Sequence, residues 1–258
     1  MNRLPEYKIM NPTGNITALV TEAVKPEERS SCAEAILSRE PLAEQLGFLS
    51  FKGLPEGVDI ALEMAGGEFC GNASMCAAVY LARIKNISEG AVNVKVSGAL
   101  EPVPVELVRE ETGDYRCSVK MPAPLSVKDI TFEDGARYPV VRFPGADHII
   151  AVIDTWETPD WKFYTKKIRK YSAEMNSLCA GFMLYDPEKA SLNPLVYVPA
   201  ADTLFWEHSC ASGTAALGAW LAEMKKGTVE ELVSEPGGKL KVSVNAGGEI
   251  FLSGRVRM

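Results

Sequence analysis

Two short stretches of this sequence share one design: EFCGNASMC at residues 68–76 and EHSCASGT at residues 207–214. In each stretch a cysteine, Cys70 or Cys210, precedes small and polar residues that favour a turn, and an apolar segment typical of a helix follows. Aligning the two cysteines also aligns the apolar residues of the following segments. We interpret the pair as one device, a thiol at a helix start, that occurs twice.

The elements around the two stretches repeat in the same order, at spacings close to the 140 residues that separate Cys70 from Cys210. Such a repeat indicates an internal duplication. We therefore predict an α+β protein of two pseudo-symmetric domains, residues 1–122 and residues 123–258, each a mixed sheet or barrel around one central helix. The first domain contains Cys70 and the second Cys210, although the last strand could pack on the first half.

The composition excludes several classes of protein. The 258 residues are 47% hydrophobic and 24% charged, which is ordinary for a globular protein, and the net charge is -7. A surface that binds nucleic acid needs an excess of Lys and Arg. No apolar run is long enough to span a bilayer, and the first residues lack the apolar core of a signal peptide. These features predict a cytoplasmic enzyme with no nucleic-acid or membrane partner.

The chain has six cysteines, and no two of them form a CxxC pair that would indicate a zinc ribbon or a thioredoxin motif. In a cytoplasmic chain the simplest expectation is that all six are free thiols. Most free cysteines are small buried hydrophobic residues. We assign that structural role to four of them: Cys32, Cys76, Cys117 and Cys179.

A cysteine at a helix start suits proton transfer for two reasons. The unpaired N–H groups and the helix dipole favour a negative sulfur, which predicts a lowered thiol pKa. The same N–H groups can bind a carboxylate, and the small residues Gly71, Ala211 and Gly213 let a ligand approach the backbone. An α-amino acid held by its carboxylate between two such helix starts would have its Cα between two sulfurs.

Two sulfurs on opposite faces of Cα predict inversion of that centre without a cofactor. One thiolate removes the Cα proton, the other thiol returns a proton from the opposite side, and the helix starts stabilise the developing negative charge. We therefore predict an amino-acid racemase or epimerase with Cys70 and Cys210 as its catalytic residues. The predicted partner is a small-molecule substrate, an amino acid, and the mechanism requires no cofactor and no metal ion.

The motifs FCGNA at residues 69–73 and CASGT at residues 210–214 resemble the two signature motifs of the diaminopimelate epimerase and proline racemase superfamily, whose members use no pyridoxal phosphate. Gly14-Asn15 also resembles that superfamily's Gly-Asn. The resemblance covers nearly the whole chain in element order, although the specific motifs are short. It implies the diaminopimelate-epimerase-like fold and substrate contacts from a set of residues that includes Asn15, Gly71, Asn72, Ala211, Ser212 and Gly213.

The sequence departs from the diaminopimelate epimerase pattern where those enzymes bind the distal carboxylate of their substrate. No arginine follows Glu207, and the family's Gly-Asn-Pro-His turn is Gly-Ala-Asp-His at residues 145–148. A buried carboxylate without a partner would be poorly bound, which argues against diaminopimelate. Superfamily members that racemise histidine resemble this chain at residues 43–48, AEQLGF, so histidine is the first substrate that we expect.

Two glutamates each have a functional and a simpler interpretation. Glu44 could contact the side chain of the substrate, or it could be a solvated carboxylate near the end of a helix predicted from Pro26 to about Gln45. Glu207 could orient the substrate ammonium, or it could face solvent near a helix start, where the dipole favours negative charge. The sequence leaves these alternatives open.

Other functions also stay open at this point. The chain could be a diaminopimelate epimerase proper, or a phenazine-type isomerase on the same duplicated fold, although that class lacks the cysteine pair. It could instead be a thiol redox protein or a metal-binding protein that uses Cys70 and Cys210 as a disulfide or as ligands. The sequence is also compatible with a homodimer.

Overall fold

The computed structural model describes residues 3–153 and 160–258. Within these ranges the helices are α1 (Arg29–Leu37), α2 (Gly71–Ile84), α3 (Trp161–Met175) and α4 (Ala211–Lys225). The strands of the first half are β1 (Tyr7–Pro12), β2 (Thr17–Val20), β3 (Gln45–Ser50), β4 (Ile60–Met64), β5 (Glu89–Val96), β6 (Val103–Arg109) and β7 (Tyr115–Lys120).

The remaining strands are β8 (Ser126–Thr131), β9 (Arg137–Phe143), β10 (Ala146–Val152), β11 (Ala180–Asp186), β12 (Ser191–Val198), β13 (Thr203–Trp206), β14 (Val229–Glu235), β15 (Gly238–Val244) and β16 (Ile250–Arg257). The protein is therefore α+β and consists mostly of sheet, which confirms the predicted class. None of the described helices combines the length and the apolar character that crossing a bilayer requires.

The strands of the first half form a closed ring. They pair in chain order from β1 to β7, β7 pairs with β16, and β16 returns to β1, where Asn11 lies opposite Arg257. The pairs β2–β3 and β4–β5 are parallel, and α1 and α2 are the crossovers that such pairs need. The final strand of the chain thus completes a ring whose other strands come from the first half.

Helix α2 packs against the strands of this ring and contacts β1, β2, β4, β5, β6, β7 and β16. Eleven of its fourteen residues are buried. Many of them are small, such as Ala73, Ala77, Ala78 and Ala82, so the backbone of the helix can approach the strands closely. The buried interior of the ring fixes α2, and with it the position of the helix start.

The second group of strands runs in the order β8, β9, β10, β11, β12, β14, β15 and β16, with β13 paired to β12. Helix α4 packs against this group from β8 to β11 and from β14 to β16, while α3 packs against β11 and β12. In the described part of the chain β8 pairs with β9 alone, so this group is open at β8. Strand β16 belongs to both groups and joins them.

The first predicted helix is shorter than the sequence indicates. We expected it to reach about Gln45, but α1 ends at Leu37 and Gln45 is the first residue of β3. Pro41 explains the difference, because the residue before a proline disfavours helical backbone and the proline ring removes an N–H donor. Glu44 is therefore not at a helix end, and it lies at the point where the chain enters a sheet.

Candidate active site

Cys70 is the N-cap residue of α2. Its backbone is extended (φ −137°, ψ 113°), and its Sγ accepts a hydrogen bond from the N–H of Ala73 at 3.3 Å. Its carbonyl oxygen accepts both the N–H and the hydroxyl of Ser74, at 3.0 Å and 2.8 Å. The sulfur is thus held beside the first turn of a buried helix, as the sequence predicts.

Cys210 is the N-cap residue of α4 and has the same carbonyl arrangement. Its carbonyl oxygen accepts the N–H and the hydroxyl of Thr214, both at 2.9 Å. Its own N–H donates to Oε2 of Glu235 at 2.6 Å, and the hydroxyl of Thr214 also bonds that carboxyl. The Sγ of Cys210 lies 3.7 Å from the hydroxyl of Ser212. Glu235, at the end of β14, therefore holds this helix start from a distant strand.

The two helix starts meet. A methyl group added at Gly71 would lie 3.0 Å from Cβ of Ala211, which leaves no room for a side chain between them. Asn72 connects the two ends, because its Nδ2 donates to the carbonyl of Ser209 at 3.2 Å and to Oδ1 of Asn15 at 3.1 Å. Ser209 directly precedes the second cysteine, so these contacts place Cys70 and Cys210 in one neighbourhood.

One cleft is lined by most of the residues that the sequence identified. The predicted residues on its surface are Asn15, Glu44, Cys70, Asn72, Glu207, Cys210, Ala211 and Ser212. Gly71 and Gly213 are not on this surface. A methyl group at Gly213 would lie 2.2 Å from Sδ of Met183 and 3.2 Å from Sγ of Cys210, so this position also excludes a side chain. Both predicted catalytic sulfurs belong to residues of the same cleft.

The cleft also contains residues beyond the predicted catalytic and substrate-binding set. Gln45, Glu68 and Cys179 supply polar or thiol groups, and apolar walls come from Val196, Val198 and Phe205. The structural role predicted for Cys179 is incomplete, since this buried thiol faces the site. Gln45 directly follows Glu44, so that adjacency is the signal that could have identified it. No local pattern marks Glu235, which reaches the site only through folding.

A chain of hydrogen bonds runs along one wall of the cleft. Oε2 of Glu44 accepts Nδ2 of Asn15 at 2.6 Å, and Oδ1 of Asn15 accepts Nε2 of Gln45 at 2.6 Å. Oε1 of Gln45 then accepts the thiol of Cys70 at 3.0 Å. The other oxygen of Glu44 contacts the ring of His208. Glu44 is thus a bonded residue of the cleft wall, and the interpretation as a solvated helix-end carboxylate is wrong.

The charged groups of the cleft have one sign. Among its described lining residues, the ionisable side chains are the carboxyls of Glu44, Glu68 and Glu207 and the thiols of the cysteines, with no lysine or arginine. Glu68 is buried, and its Oε2 has no hydrogen-bond partner in the described structure. A buried carboxyl without a partner favours a ligand that brings a cation or hydrogen-bond donors. An additional ligand carboxylate would meet no lysine or arginine among the described lining residues.

The predicted lowering of the cysteine pKa values is wrong. Burial raises the pKa of Cys70 to about 12, and the N–H of Ala73 offsets only part of that effect. Burial, followed by the neighbouring carboxyls of Glu207 and Glu235, raises the pKa of Cys210 well above its usual value. Desolvation and like charge therefore outweigh the helix start, and both effects favour the protonated sulfur.

The carboxyls of the site have raised pKa values for the same reason. Burial is the main cause for Glu207, and the charge of Glu44 adds to it. Burial also raises the pKa of Glu68 and raises that of Glu235 to about 8, although bonds from Thr214 and from the N–H of Cys210 act in the opposite direction. Several acidic groups compete within a small volume, so a cationic ligand would lower the pKa of each of them.

The structure bears on the redox and metal-binding alternatives. All six cysteines are free thiols. Within residues 3–153 and 160–258, no group of three or more His, Cys, Asp or Glu side chains is arranged to hold a metal ion. Redox-sensing cysteines have low thiol pKa values, whereas burial raises those of Cys70 and Cys210. Neither alternative gains support from the geometry of the cleft.

Comparisons with known proteins identify relatives along the whole chain. A family model described as histidine racemase CntK N-terminal domain matches residues 6–257. A protein named histidine racemase, from Fusobacterium nucleatum, is 31% identical over 254 residues, which cover 96% of this chain and 92% of that protein. The similarity therefore includes both helix starts and the strands that position them.

Solved structures with the same fold share little sequence with this chain. A predicted epimerase from Pseudomonas aeruginosa has a TM-score of 0.71 at 13% identity, covering 97% of this chain and 95% of that one. A phenazine biosynthesis protein of the PhzF family, from Bacillus anthracis, has a TM-score of 0.65 at 14% identity, covering 96% and 94%. At this identity the likeness shows a common fold, which the epimerase and phenazine classes share.

Proposed function

The chain belongs to the histidine racemase CntK N-terminal domain family, and from that membership we propose that it is a cofactor-independent racemase that inverts Cα of histidine between Cys70 and Cys210. Its membership makes the protein an isomerase. The substrate and the two-thiol mechanism are our proposal. The observation that supports it most is the placement of two N-cap cysteines, from two buried helices, on one cleft.

The acidic cleft supports histidine as the substrate. Histidine brings an α-ammonium and an imidazole with N–H donors, and the cleft offers carboxyls to both. The curated relative with 31% identity is named a histidine racemase. Diaminopimelate has a second carboxylate, which would meet Glu44, Glu68 or Glu207 without a lysine or arginine among the described lining residues.

Glu44 is the carboxyl that we assign to the substrate's imidazole. It lies on the cleft wall, and Asn15 and His208 hold both of its oxygens in place. Glu207 and Glu68 are assigned to the α-ammonium, because both carboxyls line the cleft that also contains Cys70 and Cys210. The α-carboxylate is assigned to the N–H groups of the two helix starts, at residues 71–72 and 211–213, which have no acceptor within their helices.

The raised cysteine pKa values give the substrate a part in activating the site. The ammonium of a bound amino acid would neutralise the carboxyls that raise the pKa of each thiol. One cysteine can then become the thiolate that the reaction requires. This coupling would restrict the reactive thiolate to the occupied cleft and protect both sulfurs from oxidation when the cleft is empty.

The reaction consists of two proton transfers on opposite faces of Cα. The thiolate of one cysteine takes the Cα proton and becomes a thiol, and the electron pair of the broken C–H bond moves into the carboxylate. The helix-start N–H groups stabilise that added charge. The thiol of the other cysteine gives its proton to the opposite face and becomes a thiolate. Racemisation in the other direction exchanges the two roles.

No described residue of the cleft is a lysine, so a pyridoxal phosphate Schiff base would have no attachment side chain there. The chemistry instead relies on residues of the chain itself. Differences between the residues around the two helix starts would then decide which cysteine removes the Cα proton and which one returns a proton.

We also propose that residues 1–122 and residues 123–258 arose by duplication. The arrangement at the two cysteines supports this proposal, because a hydroxyl four residues on, from Ser74 or Thr214, bonds the cysteine carbonyl in both helices. The closing strand β16 pairs with both groups of strands and so joins the two halves.

Deuterium uptake tests the proposed function directly. Reduced enzyme is incubated in D₂O with each common amino acid and with diaminopimelate, and label at Cα is measured by mass spectrometry together with chiral analysis of the product. We expect label and inversion with histidine and little with diaminopimelate. Label in diaminopimelate but not in histidine would overturn the substrate assignment. If none of the amino acids gains label, the proposed reaction is overturned.

A further inference from the structure

Gln45 lies between the proposed catalytic thiol of Cys70 and a network of buried amides. Its Oε1 accepts the thiol of Cys70 at 3.0 Å. Its Nε2 donates to Oδ1 of Asn15 at 2.6 Å and to the hydroxyl of Thr17 at 2.7 Å. Each polar atom of this side chain therefore has a partner, and the orientation of the amide decides which group faces the sulfur.

The polarity of the network originates at a backbone carbonyl, which cannot change from acceptor to donor. The carbonyl of Ser209 accepts Nδ2 of Asn72 at 3.2 Å, and the same Nδ2 donates to Oδ1 of Asn15 at 3.1 Å. Asn15 must therefore present its oxygen to Asn72 and its Nδ2 to Glu44, which accepts it at 2.6 Å. If the Asn15 amide were flipped, its Nδ2 would face the donor Nδ2 of Asn72, and its Oδ1 would face the carboxylate of Glu44.

The orientation of Asn15 fixes that of Gln45. Oδ1 of Asn15 is an acceptor, so Gln45 must direct its Nε2 there and its Oε1 toward Cys70. The hydroxyl of Thr17 strengthens this choice, because it donates to the backbone oxygen of Asn15 at 3.0 Å and so accepts from Gln45. A flipped Gln45 would bring two acceptor oxygens within hydrogen-bonding distance of each other, which is unfavourable in a buried site.

An acceptor oxygen next to Cys70 favours the thiol over the thiolate. The S–H group donates to Oε1, whereas a thiolate at the same place would face an acceptor at 3.0 Å. Cys210 has different neighbours, because burial and the carboxyls of Glu207 and Glu235 raise the pKa of its thiol. The hydroxyl of Ser212, 3.7 Å from its Sγ, can donate to a thiolate or accept from a thiol.

We propose that Gln45 is a positioning residue whose Oε1 accepts the thiol of Cys70 and holds the proton on that sulfur in the absence of substrate. This inference rests on the proposed function only in taking both cysteines as the reacting thiols.

The other groups that face Cys70 are charged or ionisable as well. Two carboxyls act on Cys70: Glu68 lies in the loop before α2, and Glu207 lies in the segment after β13. Two thiols also interact with it: Cys76 lies in α2, and Cys179 lies just before β11. All of them remain in a variant of Gln45. A change confined to Cys70 in such a variant therefore reports the lost acceptor.

The test compares the reactivity of the two thiols within the same molecule. Full-length enzyme without substrate is exposed briefly to iodoacetamide at a series of pH values, and modification of Cys70 and of Cys210 is measured by peptide mass spectrometry. In Gln45→Leu we expect Cys70 to react roughly fivefold faster at a given pH, the effect of losing one neutral hydrogen bond. Cys210 should keep its wild-type profile, and Gln45→Met should behave like Gln45→Leu.

Thr17→Val is the matched control, since it removes a buried hydroxyl bonded to the same Nε2 but leaves Oε1 of Gln45 and its Asn15 partner in place. We expect its Cys70 profile to equal that of wild type. An unchanged or slower Cys70 in both Gln45 variants would overturn the proposal, as would an equal acceleration of both cysteines, which indicates general opening of the cleft. The assay uses no substrate, so its result is independent of whether histidine is racemised.

Discussion

The carboxylate of Glu44 accepts the backbone N–H of His208, with distances of 3.1 Å to Oε1 and 3.3 Å to Oε2, and Oε1 also contacts the ring Nδ1. The two residues are 164 positions apart. The side chain of Glu44 is 9% exposed, whereas that of His208 is 61% exposed. The pair therefore joins the two halves of the chain at the cleft and holds a buried carboxylate in the site.

Glu44→Gln should weaken the binding of histidine. The amide has one acceptor in place of two, so its NH₂ group would face either the N–H of His208 or Nδ2 of Asn15. We expect KM for histidine to rise roughly 10- to 100-fold, the range for losing a hydrogen bond to a charged group, with a smaller change in kcat. Steady-state kinetics followed by circular dichroism measure both constants.

Glu40→Gln is the control for that variant, because it makes the same change in a residue that bonds Tyr7 and does not line the cleft. Its kinetic constants should match those of wild type. An unaltered KM in Glu44→Gln would show that this carboxyl does not contact the substrate.

Each of the two cysteines should be indispensable for inversion. Cys70→Ser and Cys210→Ser replace a thiol by a hydroxyl that is far less acidic, which removes a proton donor or acceptor on one face of Cα. We expect the rate of racemisation to fall by at least about 100-fold in either variant. Cys32→Ala, in the separate core beneath α1, should retain activity. Full activity in either serine variant would contradict the two-thiol mechanism.

The contact between the two helix starts should tolerate a methyl group on one side only. Gly71→Ala would place its Cβ 3.0 Å from Cβ of Ala211 and 3.2 Å from Sδ of Met121, so the helix starts must move apart. We expect kcat to fall by roughly tenfold or more, because small displacements of reacting groups are costly.

The exchange variant Gly71→Ala with Ala211→Gly moves the methyl group from one helix to the other and restores the space. It should recover a substantial part of the lost kcat. If the double variant is no better than Gly71→Ala alone, the loss does not come from this contact. Thermal unfolding of both proteins would show whether either change acts through stability.

Glu235 should make the stability of the protein depend on pH. Its pKa is about 8 in the folded protein, above the usual 4.5 of a glutamate, chiefly because it is buried. A raised folded-state pKa means that stability is fully present below the unfolded pKa and is lost as pH rises through the folded one. Wild-type stability should thus decline relative to Glu235→Gln between about pH 4.5 and pH 8.

Denaturant unfolding of wild type and Glu235→Gln at several pH values measures this difference. Gln can still accept the N–H of Cys210 and can donate to Thr214, whose hydroxyl also bonds the carbonyl of Cys210. Parallel stability curves for the two proteins across this range would show that Glu235 does not change its charge there.

Local patterns predict much of the fold. Strands such as β5, where Val92, Val94 and Val96 are buried and alternate with more exposed residues, are evident from their period of two. The closed ring of strands is not evident, because it depends on β16 pairing with β1 and β7 at the far end of the chain. Pairing between distant strands depends on the folded arrangement, which a local window does not contain.

The sequence alone determined the two sulfurs, since a cysteine before a small-residue turn and an apolar helix is a local signal and here it occurs twice. Only the tertiary structure decided how those sulfurs are protonated. Burial and the carboxyls of Glu68, Glu207 and Glu235 raise the thiol pKa values, while Oε1 of Gln45 accepts the thiol of Cys70. These effects depend on residues that are distant in sequence and adjacent in space, because desolvation and hydrogen-bond polarity are properties of the packed site and not of a segment.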